Sequence, residues 1–151
     1  MNTRFYLVGP LLAGFALLIA GCGDRPIDTS MAEGTVTFNG QAVEGANVMF
    51  SPVTAGSGSP AYATTDATGR FVLQTQQGAA GAGTTAGEYK VTISKVQMVG
   101  TGKKQMTPEG VEEEIMEPKE VLPRQYKLQS STPLTATVVE GQPNVFEFNL
   151  E

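Results

Sequence analysis

The sequence predicts an all-β protein, an antiparallel β-sandwich of about seven strands in one domain. The clearest evidence is the segment 88–94, in which Tyr89, Val91 and Ile93 alternate with polar residues, as in a strand with one buried face. The segments between such runs are rich in Gly, Asn, Asp and Pro, which favour turns. No sustained helical period occurs within 34–151. Two sheets that bury their alternating faces against each other are therefore the expected architecture.

The predicted strands are short, and turn signals separate them. Asn39-Gly40 follows the first strand, and the segment 66–69 is a turn between the third and the fourth. Near the C-terminus, Phe146 and Phe148 belong to a run in which apolar and polar positions alternate. The seven predicted strands cover 34–38, 46–50, 61–65, 70–75, 88–94, 134–138 and 145–150.

The N-terminal segment is expected to carry the chain to a membrane and to anchor it there. Arg4 precedes an apolar run, 5–19, that is too short for a stable membrane span. Ile19-Ala20-Gly21-Cys22 then resembles a lipobox, the cleavage and lipidation motif of bacterial lipoproteins. An ordinary secretory signal that ends beside a buried free cysteine is the alternative. The expected organisation is a signal peptide at 1–21, a tether lipidated on Cys22 at 22–33, and a sandwich at 34–151 with a long acidic insert at about 96–133.

Composition limits the partners of the mature chain. Cleavage before Cys22 removes one of ten basic residues and none of the fifteen acidic ones, leaving nine basic residues and a net charge of −6. Such a chain has no basic patch, so no nucleic-acid partner is expected. Because Cys22 is the only cysteine, the chain can form no internal disulfide. The expected location is the bacterial cell envelope, with the membrane bound through the lipid anchor at Cys22 and the domain facing the periplasm or the cell exterior.

Two stretches do not fit the strand pattern. The first, 76–87, is almost entirely Gly, Ala, Thr and Gln, and is predicted to be a mobile hairpin loop. A phosphate-binding loop is a poor alternative, because neither a Lys nor a helix follows these glycines. The second, 96–133, is much longer than an ordinary connection, and such loops commonly carry function. This insert is therefore where a partner is expected to bind.

The insert contains an acidic segment that holds the candidate site residues, which are Glu112, Glu113, Glu114, Ile115 and Met116. Calcium binding is one interpretation, but three adjacent glutamates point in different directions and lack the spacing of a calcium loop. The favoured interpretation is a solvated acidic loop with one helical turn that ends at Pro118. Lys103 and Lys104 are expected to pair with these charges, and the segment 121–126 is expected to anchor the loop on the sandwich.

Four motifs in the first part of the sandwich resemble the carboxypeptidase regulatory-like domain. They are GTVTFNG at 34–40, VEGANVMF at 43–50, TDATGRF at 65–71 and GEYKV at 87–91. With the lipobox and the Phe-rich last strand, the whole chain is similar to small lipoproteins abundant in planctomycetes. The resemblance implies a transthyretin-like (prealbumin-like) sandwich with an Ig-like Greek key. It also implies a tyrosine corner at Tyr89, whose hydroxyl would bond to backbone nearby.

Enzymes and cross-linked modules of similar fold depend on residues that this chain lacks. Transthyretin-like hydrolases and intradiol dioxygenases use histidines, and the chain has none. The Lys–Asn cross-link of adhesin modules needs a Lys in the first strand, which has none, and a Glu where this chain has Ile93. We therefore expect no enzymatic activity, catalytic residue, cofactor or metal, and a structural or protein-interaction role with another envelope protein as partner. The alternative is a ligand- or carbohydrate-binding accessory subunit of an envelope enzyme system.

Overall fold

The computed structural model describes residues 28–76 and 83–151, in which eleven strands and one short 3-10 helix are found. The predicted signal peptide, Cys22 and the first part of the tether lie outside the described residues. Each of the seven predicted segments falls on one or two strands. The elements are β1 (Ala32–Phe38), β2 (Gln41–Ala42), β3 (Asn47–Pro52), β4 (Ala61–Thr64), β5 (Arg70–Val72), β6 (Gln74–Thr75), β7 (Gly87–Ser94), β8 (Val96–Met106), β9 (Glu112–Glu120), the 3-10 helix (Arg124–Tyr126), β10 (Thr135–Val138) and β11 (Asn144–Leu150).

Nine of these strands form two sheets that pack as a sandwich, which confirms the predicted fold class. The first sheet has the order β11-β1-β2, and β5 also pairs with β1. The second sheet has the order β10-β7-β3-β4-β6. One pair departs from the expected antiparallel arrangement, because β1 and β11 run parallel, with Val36 opposite Phe148. Alternation along a strand indicates which face is buried, but not the direction of the neighbouring strand.

The core lies between the two sheets and is centred on Phe50 of β3. The Phe50 side chain is fully buried, and its ring centroid lies 6.4 Å from that of Phe71 and 6.2 Å from that of Phe148, both on the opposite sheet. The predicted inward residues of β7 are completely buried as well: Tyr89, Val91 and Ile93. The two alternating faces therefore meet as the sequence predicts.

Two predicted turns are confirmed by their geometry. Asn39 and Gly40 have positive φ angles of 49° and 76°, as in a tight hairpin turn, and they connect β1 to β2. The Asp66 Oδ1 atom accepts hydrogen bonds from the Thr68 hydroxyl (2.7 Å), the Thr68 N–H (2.8 Å) and the Arg70 N–H (3.0 Å). These bonds, the one from the hydroxyl first, hold the pKa of the Asp66 carboxyl below its usual range.

Hydroxyl groups hold together the end of the sandwich at which the chain enters. The Tyr89 hydroxyl donates to the Thr85 carbonyl at 2.7 Å, the backbone bond expected of a tyrosine corner. The neighbouring Thr84 is completely buried, and its hydroxyl donates to the Ser59 carbonyl at 2.8 Å. The Thr84 bond joins the segment before β7 to the loop between β3 and β4, and the Tyr89 bond joins that segment to β7.

Two segment boundaries differ from the sequence-based expectation. The first strand begins at Ala32, and Ser30 forms a β-bridge with Thr84, so the sandwich includes part of the expected tether 22–33. The prediction of one mobile loop over 76–87 is wrong for residues 83–85, which are buried or half-buried, while Ala86 is exposed and 77–82 lie outside the described residues. That prediction rested on the lack of apolar surface. Hydroxyl groups that bond to backbone hold this segment in place without apolar surface, as the bonds at Thr84 and Thr85 show.

The insert 96–133 was expected to be a loop, and instead it contains a two-stranded hairpin made by β8 and β9. The expected helical turn ended by Pro118 is wrong, because Pro118 lies inside β9. Both faces of the hairpin are exposed, so no buried face imposes the alternation by which a strand is recognised in sequence. The anchor expected at 121–126 is confirmed, since Leu122 and Tyr126 belong to the core.

Candidate functional site

The hairpin of β8 and β9 is the candidate functional site, because it projects from the sandwich. Its ladder runs from Val96 opposite Glu120 to Met106 opposite Glu112. At about 3.3 Å per residue, the 11-residue strand β8 extends roughly 30 Å. All residues of the two strands are exposed except three that are half-buried: Thr101, Ile115 and Glu120. The hairpin therefore presents both of its faces to solvent.

Glu120 fixes the base of the hairpin to the sandwich. Its Oε1 atom accepts a hydrogen bond from the Lys95 N–H at 2.7 Å, and its Oε2 atom lies 3.0 Å from the Lys127 ammonium. The Val121 N–H donates to the Lys95 carbonyl at 3.0 Å, which extends the ladder toward the core. The Glu120 side chain is only 16% exposed, so solvent screens this ion pair less than a typical surface pair. These contacts set the direction in which the hairpin leaves the sandwich.

A β-bulge divides the hairpin into a proximal half next to the sandwich and a distal half. The register shifts between Gly100 and Lys104, and Gly102 within this interval has a φ of 75°. The Glu114 Oε1 atom accepts a hydrogen bond from the Gly102 N–H at 2.8 Å. The same carboxylate occupies the space that a side chain at position 100 would need. Glu114 therefore stabilises the bulge and is part of the structure of the hairpin.

The two faces of the hairpin differ in polarity. Residues directly opposite each other share a face, so the even-numbered residues form one face, called here the even face, and the odd-numbered residues form the other. The proximal half of the even face carries an apolar patch made of Val96, Met98, Met116 and Pro118. Val96 and Met98 are 52% and 58% exposed. These apolar side chains have no cover within the described part of the chain.

The five predicted site residues are divided between the two faces. Glu112, Glu114 and Met116 lie on the even face, whereas Glu113 and Ile115 lie on the odd face. Carboxylates on opposite faces of a two-stranded ribbon cannot converge on one cation. Among the described residues, no group of three or more acidic or cysteine side chains is arranged to hold a metal ion.

The glutamates of the even face have partners within the protein. Glu112 Oε2 lies 3.0 Å from the Lys104 ammonium, which confirms the expected pairing for Lys104. Glu114 accepts from the backbone of the bulge, and Glu120 pairs with Lys127. The described residues provide no such ion pair for Lys103 of β8. On the even face, Glu112 and Glu120 therefore have cationic partners, whereas Glu114 is bound by backbone.

The apolar residues of β8 do not belong to the site residues that the sequence predicts. Val96 and Met98 are separated by one polar residue, which is the only alternation that this half of the strand offers. Pro118 was interpreted as a helix stop, although proline is also typical of an edge strand. Pro118 in β9, together with the alternation of Val96 and Met98 in β8, is the sequence signal that could have indicated this hairpin.

Comparisons with known proteins do not assign a family. No protein-family model matches the chain, and no curated protein matches it. Among solved structures, a 9R-lipoxygenase from Cyanothece PCC8801 is similar over 81% of this chain and 16% of that chain, with 11% sequence identity and a TM-score of 0.36. A TM-score this low carries no argument about fold or activity. Among the described residues, no helix has the length and apolar character needed to cross a bilayer.

Proposed function

We propose that this chain is a lipid-anchored, non-enzymatic protein of the bacterial cell envelope that binds another envelope protein through the β8–β9 hairpin. The observation that carries the proposal is the hairpin, which has two exposed faces, a fixed base and an uncovered apolar patch. Beyond its base it contributes no residue to the buried core. An external partner would give so long a projecting element a role.

The position of the hairpin base supports a partner that lies away from the anchoring membrane. The chain enters the sandwich at the start of β1, where Ser30 pairs with Thr84. The hairpin leaves at the other end of β1, where Phe38 and Lys95 line the same cleft. The seven residues of β1 separate these ends by about 20 Å, and the hairpin adds up to roughly 30 Å. A lipid on Cys22 would attach the membrane to the end of the sandwich from which the hairpin does not leave.

The anchored domain is proposed to be of the carboxypeptidase regulatory-like or transthyretin-like type. The two-sheet fold, the Asn39-Gly40 hairpin turn and the backbone bond of the Tyr89 hydroxyl support this assignment. The absence of histidine from the sequence supports a non-enzymatic role. Carbohydrate binding has less support, because Tyr62 is the one exposed aromatic ring among the described residues and sugar sites usually display several.

The anchor is tested by the intact mass of the protein after detergent extraction. We expect cleavage before Cys22 together with the added mass of acyl chains. Cys22→Ser should leave the precursor unprocessed or release the protein from the membrane. A soluble mature form with an unmodified Cys22 thiol would contradict the proposed anchor.

The role of the hairpin is tested by replacing residues 97–119 with an Asn-Gly turn, which keeps the Val96–Glu120 pair at the base. We expect the main partner, identified by cross-linking in intact membranes, to be lost while the thermal unfolding of the sandwich hardly changes. Met49→Lys, on the exposed face of β3, is the matched surface control and should keep the partner. A partner retained by the shortened chain would place the contact on a sheet face or on the segment 76–87. Unfolding of the shortened chain would instead show that the hairpin is part of the fold.

A further inference from the structure

The hairpin has two outer edges, and within the described residues neither edge is paired with another strand. In a two-stranded antiparallel ribbon, every second residue directs its backbone N–H and C=O away from the partner strand. Unpaired backbone groups of this kind form a template for an added strand. A two-stranded ribbon alone is marginally stable in water, so a third strand would stabilise it.

The outer edge of β9 is poorly suited to accept a strand. Pro118 has no N–H and interrupts the row of backbone donors. The strand also carries five glutamates and one lysine, and a charged edge of this kind discourages pairing. Both features are ways in which natural proteins protect an edge.

The outer edge of β8 is unprotected in its proximal half, because the β-bulge and both lysines lie beyond Gly100. The eleven residues of β8 include no proline and no acidic residue. Its proximal half, Val96–Gly100, is uncharged, and its side chains Val96 and Met98 belong to the apolar patch of the even face. Its distal half carries Lys103 and Lys104, of which only Lys104 has an ion pair among the described residues. A strand that complements this edge would carry apolar residues beside Val96 and Met98 and a carboxylate beside Lys103.

We propose that the outer edge of β8 is a strand-addition site for an extended segment of the partner protein, with alternating apolar and acidic residues. The proposal deepens the proposed function and rests on it, since it names the kind of partner that the hairpin would bind. A second copy of this chain fits less well. The hairpin of a second copy offers either another lysine-bearing β8, which lacks the carboxylates, or the β9 edge, which Pro118 interrupts.

The test uses the full chain in mild detergent and three fluorescent nine-residue peptides. The first peptide alternates Val and Glu, the second alternates Val and Lys, and the third is the Val/Glu peptide with N-methyl groups on alternate backbone nitrogens. We expect fluorescence anisotropy to show binding of the first peptide only. Amide exchange should slow in Val96–Gly100 when that peptide binds.

Charge reversal on the two strands provides a matched pair of variants. Lys103→Glu on β8 should weaken binding of the Val/Glu peptide about fivefold to tenfold, whereas Lys119→Glu on β9 should leave it within about twofold. Equal weakening by both variants, or equal binding of the N-methylated peptide, would overturn strand addition at β8. Sedimentation as a dimer without peptide would assign the edge to a second copy instead. Peptide binding does not depend on Cys22 or on a native partner, so failure here is distinguishable from failure of the proposed function.

Discussion

Tyr89→Phe removes one buried hydroxyl and leaves the size of the core almost unchanged. That hydroxyl donates to the Thr85 carbonyl at 2.7 Å and lies 2.9 Å from the Thr85 hydroxyl. Losing a hydrogen bond costs about 1 kcal/mol, and a buried carbonyl left without a donor costs about 1 to 3 kcal/mol. Tyr89 is completely buried and Thr85 is half-buried, so water replaces the lost donor only in part. We therefore expect the free energy of unfolding to fall by about 2 kcal/mol.

Urea denaturation measures this change, and thermal unfolding gives a second readout. A loss of about 2 kcal/mol in a domain of this size lowers the unfolding temperature by roughly 6 to 10 °C. Tyr62→Phe is the matched control, because this tyrosine is 43% exposed on β4 and its loss should stay within about 0.5 kcal/mol. If both substitutions have the same effect, the hydroxyl of Tyr89 contributes nothing special and the tyrosine-corner interpretation is wrong.

Three further predictions concern the core and one turn. Phe50→Ala should reduce the free energy of unfolding, measured in urea, by about 3 to 5 kcal/mol, because the Phe50 ring is completely buried. Met49→Ala, on the exposed face of β3, should change it by no more than about 0.5 kcal/mol. Equal losses would mean that the register of β3 is wrong. Gly69→Ala should cost at least about 1 kcal/mol in the same assay, because φ is 77° and a Cβ would lie 2.6 Å from the Val36 carbonyl oxygen. The pKa of Asp66 is lowered in the folded state, so its ionised form stabilises the fold above the usual aspartate pKa of about 4, and this stability is lost as the pH falls further. Asp66→Ala should therefore destabilise the protein at neutral pH, and its difference from the natural chain should shrink on acidification; a difference that stays constant with pH would refute the role of the charge.

The hairpin shows how far the candidate site could be predicted. The sequence singles out the segment that forms the hairpin, because an insert of that length and acidity has no evident role in the core. It does not reveal that Glu112, Glu114 and Met116 share a face while Glu113 and Ile115 lie on the other. That separation depends on the pairing of β9 with β8. Pairing is decided by backbone hydrogen bonds between segments, which leave no periodic signal when both faces are exposed.

The sequence by itself determined which face of the predicted strands is buried and where the chain turns. Tyr89, Val91 and Ile93 had to share the buried face of their strand, because side chains alternate between the two faces of a sheet. Asn39-Gly40 had to turn, because these residue types accept positive φ. Only the tertiary structure decided that β11 runs parallel to β1, that the insert forms a hairpin, and that Thr84 is buried beneath Ser59 and Ser30. The alternation of apolar and polar residues indicates only which face of a strand is buried. The direction of the neighbouring strand, the choice of that neighbour and the bonds of buried hydroxyls depend on residues that are distant in the chain.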